Sequence, residues 1–187
     1  MKFNRYTLLV CFVLAGLWAL ASCGSIDGQR YMDNKPVFDL REYFSGDVQA
    51  WGIVQDRSGD VIRRFDIDIV GSWQGDQGTL VEDFFYYDGE TQQRIWRITD
   101  LGNGQYQGQA DDLLNTANGE IFGNAGRWRY TMNLPVGDKG STIRLAFDDW
   151  MWAMNDGVLM NRSYLKKWGV TVAQVTIFMK KVSEASE

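Results

Sequence analysis

The sequence predicts an all-β protein, an antiparallel meander of eight to nine strands that closes into a barrel. Three observations carry this. From residue 45 onward apolar and polar side chains alternate with period two, the mark of a strand with one dry and one wet face. Glycine-rich strings interrupt the alternation at short intervals and supply turn chemistry. No stretch with helical spacing separates the strands, so the connections are short and neighbours run antiparallel. A chain of 187 residues, 45% hydrophobic and 14% aromatic, forms one domain and has enough apolar surface for a sizeable core.

The elements follow in order. Residues 1–22 read as an export signal: Lys2 and Arg5 give a basic start with no acid, and Leu8 to Ala21 is an apolar run of 14 residues, within the roughly 7 to 15 of a signal-peptide core. That is short of the about 20 residues that cross a bilayer as a helix. The run ends in Leu20-Ala21-Ser22-Cys23, which resembles the bacterial lipobox. Cys23 is therefore the expected lipid-attachment site and first residue of the mature chain. The other cysteine, Cys11, lies inside the signal, so the exported chain has no disulfide partner for Cys23. Two or three acyl chains anchor a protein durably where one is marginal. Gly24 follows the cysteine, with no Asp there to mark inner-membrane retention, so the expected location is the periplasmic face of the outer membrane.

Residues 23–44 read as the lipidated N-terminus and a polar tether with Pro36, in which 39–44 (DLREYF) can make one helical turn. The barrel domain is expected over 45–182, with strands near 47–55, 61–73, 79–87, 92–99, 104–110, 119–134, 141–150, 157–165 and 170–181. In the second, Val61, Arg63, Phe65, Ile67, Ile69 and Trp73 share one parity while Arg64, Asp66, Asp68 and Ser72 share the other. Asp56-Arg57-Ser58-Gly59, Asp88-Gly89 and Gly102-Asn103-Gly104 are among the turns. Residues 183–187 are a polar tail.

Composition excludes several chemistries. With no histidine, there is no Ser-His-Asp relay, no HExxH zinc site and no imidazole switch. Removing residues 1–22 takes away two of the 19 basic side chains and none of the 24 acidic ones, leaving a net charge near −7 and no basic stripe for nucleic acid. No phosphate-loop string occurs. No catalytic residue, metal site or cofactor is assigned, and a monomer is expected.

Glu82-Asp83-Phe84 with Tyr87-Asp88-Gly89, Arg94-Ile95-Trp96, Gly123-Asn124-Ala125 with Trp128-Arg129-Tyr130, Asp148-Asp149-Trp150-Met151 and Asn161-Arg162 are dispersed blocks over nearly all the mature chain. In this they resemble a family of proteobacterial lipoproteins, domain of unknown function 3833. The resemblance implies an envelope lipoprotein with a lipocalin-like barrel and no established activity. Gly71-Ser72-Trp73 matches the Gly-x-Trp string of lipocalins but ends a mid-chain strand, so it is read as coincidental.

Adjacent acids such as Asp148 and Asp149, Glu82 and Asp83, or Asp111 and Asp112 point to opposite faces of a strand and cannot both line one cavity. Arg94 shares a face with Trp96 and Ile98. An arginine turned inward needs an acid there, and the expected partners are Glu82, which shares its face with Phe84 and Tyr86, and Asp148 or Asp149. Such a pair is either structural or holds the head group of an anionic amphiphile. Arg127 and Arg129 lie opposite Trp128, Tyr130 and Met132 and are expected to face solvent. The seven tryptophans after the signal allow a solid aromatic core or a ring-lined cavity, whose mouth is expected at Asp149 to Met154. The candidate ligand-binding set is Glu82, Phe84, Tyr86, Arg94, Trp96, Asp148, Trp150, Met151 and Arg162.

The function these readings favour is non-enzymatic: an envelope lipoprotein that binds or carries a fatty acid or other lipid. A filled barrel serving as an interaction scaffold and a lipid-acting enzyme using barrel carboxylates are the alternatives.

Overall fold

A computed structural model describes residues 25–137 and 140–182. The signal sequence, Cys23 and the polar tail lie outside the described residues. Ten antiparallel strands form one closed barrel in sequence order: β1 (Gly46–Asp56), β2 (Val61–Gln74), β3 (Gln77–Tyr86), β4 (Thr91–Gly102), β5 (Gln105–Gln109), β6 (Ala117–Phe122), β7 (Ala125–Pro135), β8 (Thr142–Ala153), β9 (Val158–Lys167) and β10 (Val170–Lys181). Closure comes from β1 pairing with β10, from Val48 opposite Lys181 to Asp56 opposite Ala173. No edge is left exposed.

The all-β barrel is as the sequence predicts, with one strand more than expected. The stretch 119–134 is two strands, β6 and β7, because Gly123 has a φ of +56° and the Asn124 side chain donates to the Ala153 carbonyl at 3.3 Å. A tight two-residue turn is thereby fixed at Gly123-Asn124, inside a stretch expected to be one strand. Other turns form where the glycine strings lie. At the first hairpin the Asp56 carboxylate accepts from the backbone N–H of Ser58 (2.8 Å) and of Asp60 (3.1 Å), the local bonding that favours Asp in turns.

Along β2, Phe65, Ile67 and Ile69 are buried within the barrel and Arg64 and Asp68 are exposed outside. Apolar inside and charged outside is the reverse of a barrel that crosses a membrane.

Much of the segment read as a tether belongs to the folded body. A short helix, α1 (Leu40–Tyr43), is capped by the Asp39 carboxylate on the Glu42 N–H, within the turn expected at 39–44. Phe38, Leu40 and Phe44 are all buried and close one end of the barrel. Lys181 Nζ holds this plug from β10 by donating to the Tyr43 carbonyl at 2.8 Å and to the Ser45 carbonyl, the usual service of a lysine at a helix C-terminus.

Gly71 receives the plug. A Cβ there would stand 1.7 Å from the Phe44 carbonyl oxygen, so only glycine admits this approach. Two residues on, Trp73 carries the Arg41 guanidinium 5.4 Å from its ring centroid. The string Gly71-Ser72-Trp73 thus has a local purpose here, as the dock for α1.

Candidate functional site

The barrel encloses a cavity of about 410 Å³, within the roughly 300–1,000 Å³ of small-molecule sites. Leu40 and Phe44 floor it at the plugged end, and Ile62, Arg63, Tyr86 and Pro135 frame it at the other. Since Leu40 is buried and Ile62 is 62% exposed, the mouth lies at the end of the β1–β2, β3–β4, β7–β8 and β9–β10 turns. The expected mouth at Asp149 to Met154 is at the opposite, closed end. There Trp150 and Trp152 stack with each other and are covered from outside by Tyr31.

That cover comes from the N-terminal segment. A 3-10 turn (Gly28–Tyr31) lies over β6 and β7, and the Tyr31 carbonyl would be 2.0 Å from a Cβ at Gly123.

Most of the cavity wall is apolar: Phe65, Ile67 and Ile69 from β2, Leu80 and Phe84 from β3, Leu165 from β9, Val175 and Ile177 from β10. Of the tryptophans only Trp96 and Trp128 line it, with ring centroids 6.2 Å apart. With Phe65, Phe84, Tyr86, Tyr130 and Phe147 they make the ring-lined cavity, not the solid aromatic core, of the two arrangements the tryptophans allow.

A polar cluster interrupts this wall on the side of β3, β4 and β7 to β9. Asp149 is its most fully bonded member. Tyr130 Oη donates to Oδ2 at 2.9 Å, Asn161 Nδ2 to Oδ1 at 3.3 Å, and Ser163 Oγ to the same oxygen. Burial still raises the Asp149 carboxyl above the ordinary range, against the pull of these donors and of Arg94. It also pushes the Tyr130 phenol well up, with the neighbouring Asp149 acting in the same sense.

Glu82 sits across the β3–β4 ladder from Arg94, half-buried and turned to the cavity. Burial pushes its carboxyl up to about 7; Arg94 and the adjacent Trp96 indole oppose that rise, while Asp112 and Asp149 add to it. Arg94 itself bonds Asp112, through Nε at 2.9 Å and Nη2 at 2.7 Å.

The candidate set divides accordingly. Glu82, Phe84, Tyr86, Arg94, Trp96 and Met151 line the cavity; Asp148, Trp150 and Arg162 do not. On β8 the buried Leu145 and Phe147 share parity with Asp149 and Met151, which turns Asp148 and Trp150 outward. Asp148 pairs with Arg127 and Lys166, each at 2.7 Å. Burial would raise its carboxyl, but these two cations hold it below the usual range. Trp150 is buried beneath Tyr31 and Phe122 on the outer face. Arg162 is exposed opposite Trp150 on the β8–β9 ladder, because Asn161 and Ser163 take the inward parity. Arg127 and Arg129 face outward as expected, Arg129 pairing with Glu120 at 3.0 Å.

Arg94's partner was also misplaced by sequence reasoning, since none of Glu82, Asp148 or Asp149 forms its ion pair. Asp112 comes from the connection between β5 and β6. These two strands are short, and the connection fills the gap they leave on the mouth side: the Leu114 N–H donates to the Thr131 carbonyl at 2.8 Å and Leu113 bridges Met132. Asp112, Tyr130, Asn161 and Ser163 were outside the candidate set. The parity of Tyr130 with Trp128 and Met132 was the available signal for one of them; a loop residue such as Asp112 carries no period.

The sequence profile of the family described as "Protein of unknown function (DUF3833)" matches residues 17–181. The chain belongs to that family. No curated protein matches it. In this DUF3833 chain the matched span contains the whole described barrel, its plug and every cavity-lining residue.

Proposed function

We propose that this DUF3833 protein is a bacterial envelope lipoprotein that binds or carries a lipid, with the acyl chain in the barrel and the protein held to the outer membrane through Cys23. The observation that carries this reading is the cavity itself: enclosed, plugged at one end, open at the other, and walled mainly by aliphatic and aromatic side chains. Burying an acyl chain there is favourable by roughly 25 cal/mol per Å² before ordering costs.

Two features support it. Val61, Ile62, Val136, Trp168 and Val170 are exposed apolar residues at the mouth end, with Trp168, beside Lys166 and Lys167, 92% exposed in the β9–β10 turn. An apolar rim of this kind gives a lipid a path that is not wholly aqueous. The N-terminal segment packs at the plugged end, so an anchor at Cys23 would leave the mouth directed away from its own membrane. A filled barrel serving only as a scaffold has no use for such a cavity.

Every contact described lies within residues 25–182, so a chain begun at Gly24 keeps the whole barrel. Purified in that form from cells and extracted with organic solvent, it is expected to release bound lipid detectable by mass spectrometry. An empty extract, together with no change in tryptophan fluorescence on adding acyl-chain ligands, would overturn the reading.

The lipid-acting enzyme remains a second reading on one observation. Glu82 and Asp149 share the cavity, and a carboxyl near 7 suits general acid–base work. Turnover of a lipid by the purified barrel, abolished in Glu82→Gln, is its test.

A further inference from the structure

The cavity's polar groups differ in how far their bonding capacity is used. Both Asp149 oxygens accept bonds from Tyr130, Asn161 and Ser163. Arg94 gives Nε and one Nη2 hydrogen to Asp112, with no further partner among the described residues for its other N–H groups. At the mouth, Arg63 is held by Asp88 at 3.0 Å and by Glu90, and Tyr86 donates to Gln92 at 3.2 Å.

Of the carboxylates, Glu82 is the exception. Among the described residues no hydroxyl, amide or guanidinium donates to its carboxylate, and the Trp96 indole is the one donor beside it. Asp112 Oδ1, outside the cavity lining, is also buried without a partner. Unused capacity at the polar end thus lies on the Glu82 carboxylate and on the remaining Arg94 N–H groups, and charge decides between them.

Charge favours the acceptor. Glu82, Asp112 and Asp149 surround the guanidinium of Arg94, so three carboxylates face a single cation. A carboxylate or phosphate entering here would be a further anion in a desolvated site whose cation is already paired. An ammonium or hydroxyl would give Glu82 a donor besides the Trp96 indole, and an ammonium would also reduce the excess negative charge.

We infer that the polar end of the cargo is a hydrogen-bond donor without negative charge, an amine or an alcohol, seated on the Glu82 carboxylate with its chain along the β2 and β10 wall. This rests on the lipid-carrier reading and narrows it. It reverses the expectation that Arg94 holds an anionic head.

Calorimetric titration of the barrel at pH 8 with decylamine, decanol and decanoate tests the inference. Decylamine and decanol are expected to bind at least about tenfold more tightly than decanoate, the scale of one charge contact in a partly desolvated site. Glu82→Gln is expected to shrink the gap between decylamine and decanoate by about tenfold. Decanoate binding as tightly as decylamine, or a gap unchanged in Glu82→Gln, would overturn the head-group assignment while leaving the cavity reading in place. If no chain binds whatever its head, both fall. Should the variant fail to fold, the rank order in the unmodified protein decides by itself.

Discussion

Asp148 and Asp149 are consecutive in sequence and stand on opposite sides of the barrel wall. Asp148 bridges Arg127 and Lys166 on the outer face, whereas Asp149 gathers Tyr130, Asn161 and Ser163 on the inner one. Separate consequences follow for stability and for binding.

Asp148→Ala leaves two cations on a partly covered surface without their shared anion. It is expected to cost roughly 2–3 kcal/mol in urea unfolding and to leave ligand affinity unchanged, since Asp148 does not reach the cavity. In the parent protein this contribution is present above the unfolded carboxyl's range and is lost as pH falls through the lowered folded value.

Glu82 titrates with the opposite sign. Its folded pKa of about 7 exceeds that of the unfolded chain, so the folded state holds the proton more tightly. Stability falls as pH rises from the unfolded value toward the folded one. Glu82→Gln removes this penalty and is expected to be more stable than the parent by roughly 3 kcal/mol at pH 8. At pH 4 the difference should vanish. Thermal melts of both proteins across this range check the prediction; a constant difference would refute it.

The plug depends on Gly71. Gly71→Ala sets a methyl into the Phe44 carbonyl and is expected to displace α1, costing about 3 kcal/mol or more, as overpacking against backbone does. Phe44→Ala should cost about 3–5 kcal/mol. Hydrogen exchange at residues 40–45 should rise in both variants ahead of exchange in the barrel strands.

Filling the cavity should abolish binding without unfolding the barrel. Ile177 lines the wall from β10, and Ile177→Trp is expected to weaken binding of an acyl-chain ligand by at least about tenfold. Far-UV circular dichroism of the variant should match the parent. Undiminished affinity would place the ligand outside the barrel.

Trp168 is so exposed that its removal should barely affect folding, within about 0.5 kcal/mol. Trp168→Ser is nevertheless expected to slow ligand uptake from lipid vesicles several-fold while leaving affinity for dispersed ligand intact. Stopped-flow tryptophan fluorescence would measure the uptake rate.

The sequence was informative where period and turn chemistry act locally. Phe65, Ile67 and Ile69 alternate with Arg64, Asp66 and Asp68, and that pattern alone defines a strand and its two faces. Glycine strings located most of the turns. The exception is Gly123-Asn124, a pair suited to a two-residue hairpin loop but placed inside one long strand by the sequence reading. Six of the nine cavity residues expected from the sequence do line the cavity. The three that do not share a cause: parity says that neighbours face opposite ways, but not which of them faces inward.

What the sequence determined by itself is the meander and the amphipathic character of each strand, because side chains two residues apart share a face whatever else the chain does. Tertiary structure alone decided that Asp112 leaves a loop to take Arg94, that Tyr31 covers Trp150 from outside, and that Glu82 faces the cavity with the Trp96 indole as the one donor beside it. Those relationships join residues far apart along the chain. They are set by the ten-strand closure and by short β5 and β6, geometry that no local period encodes.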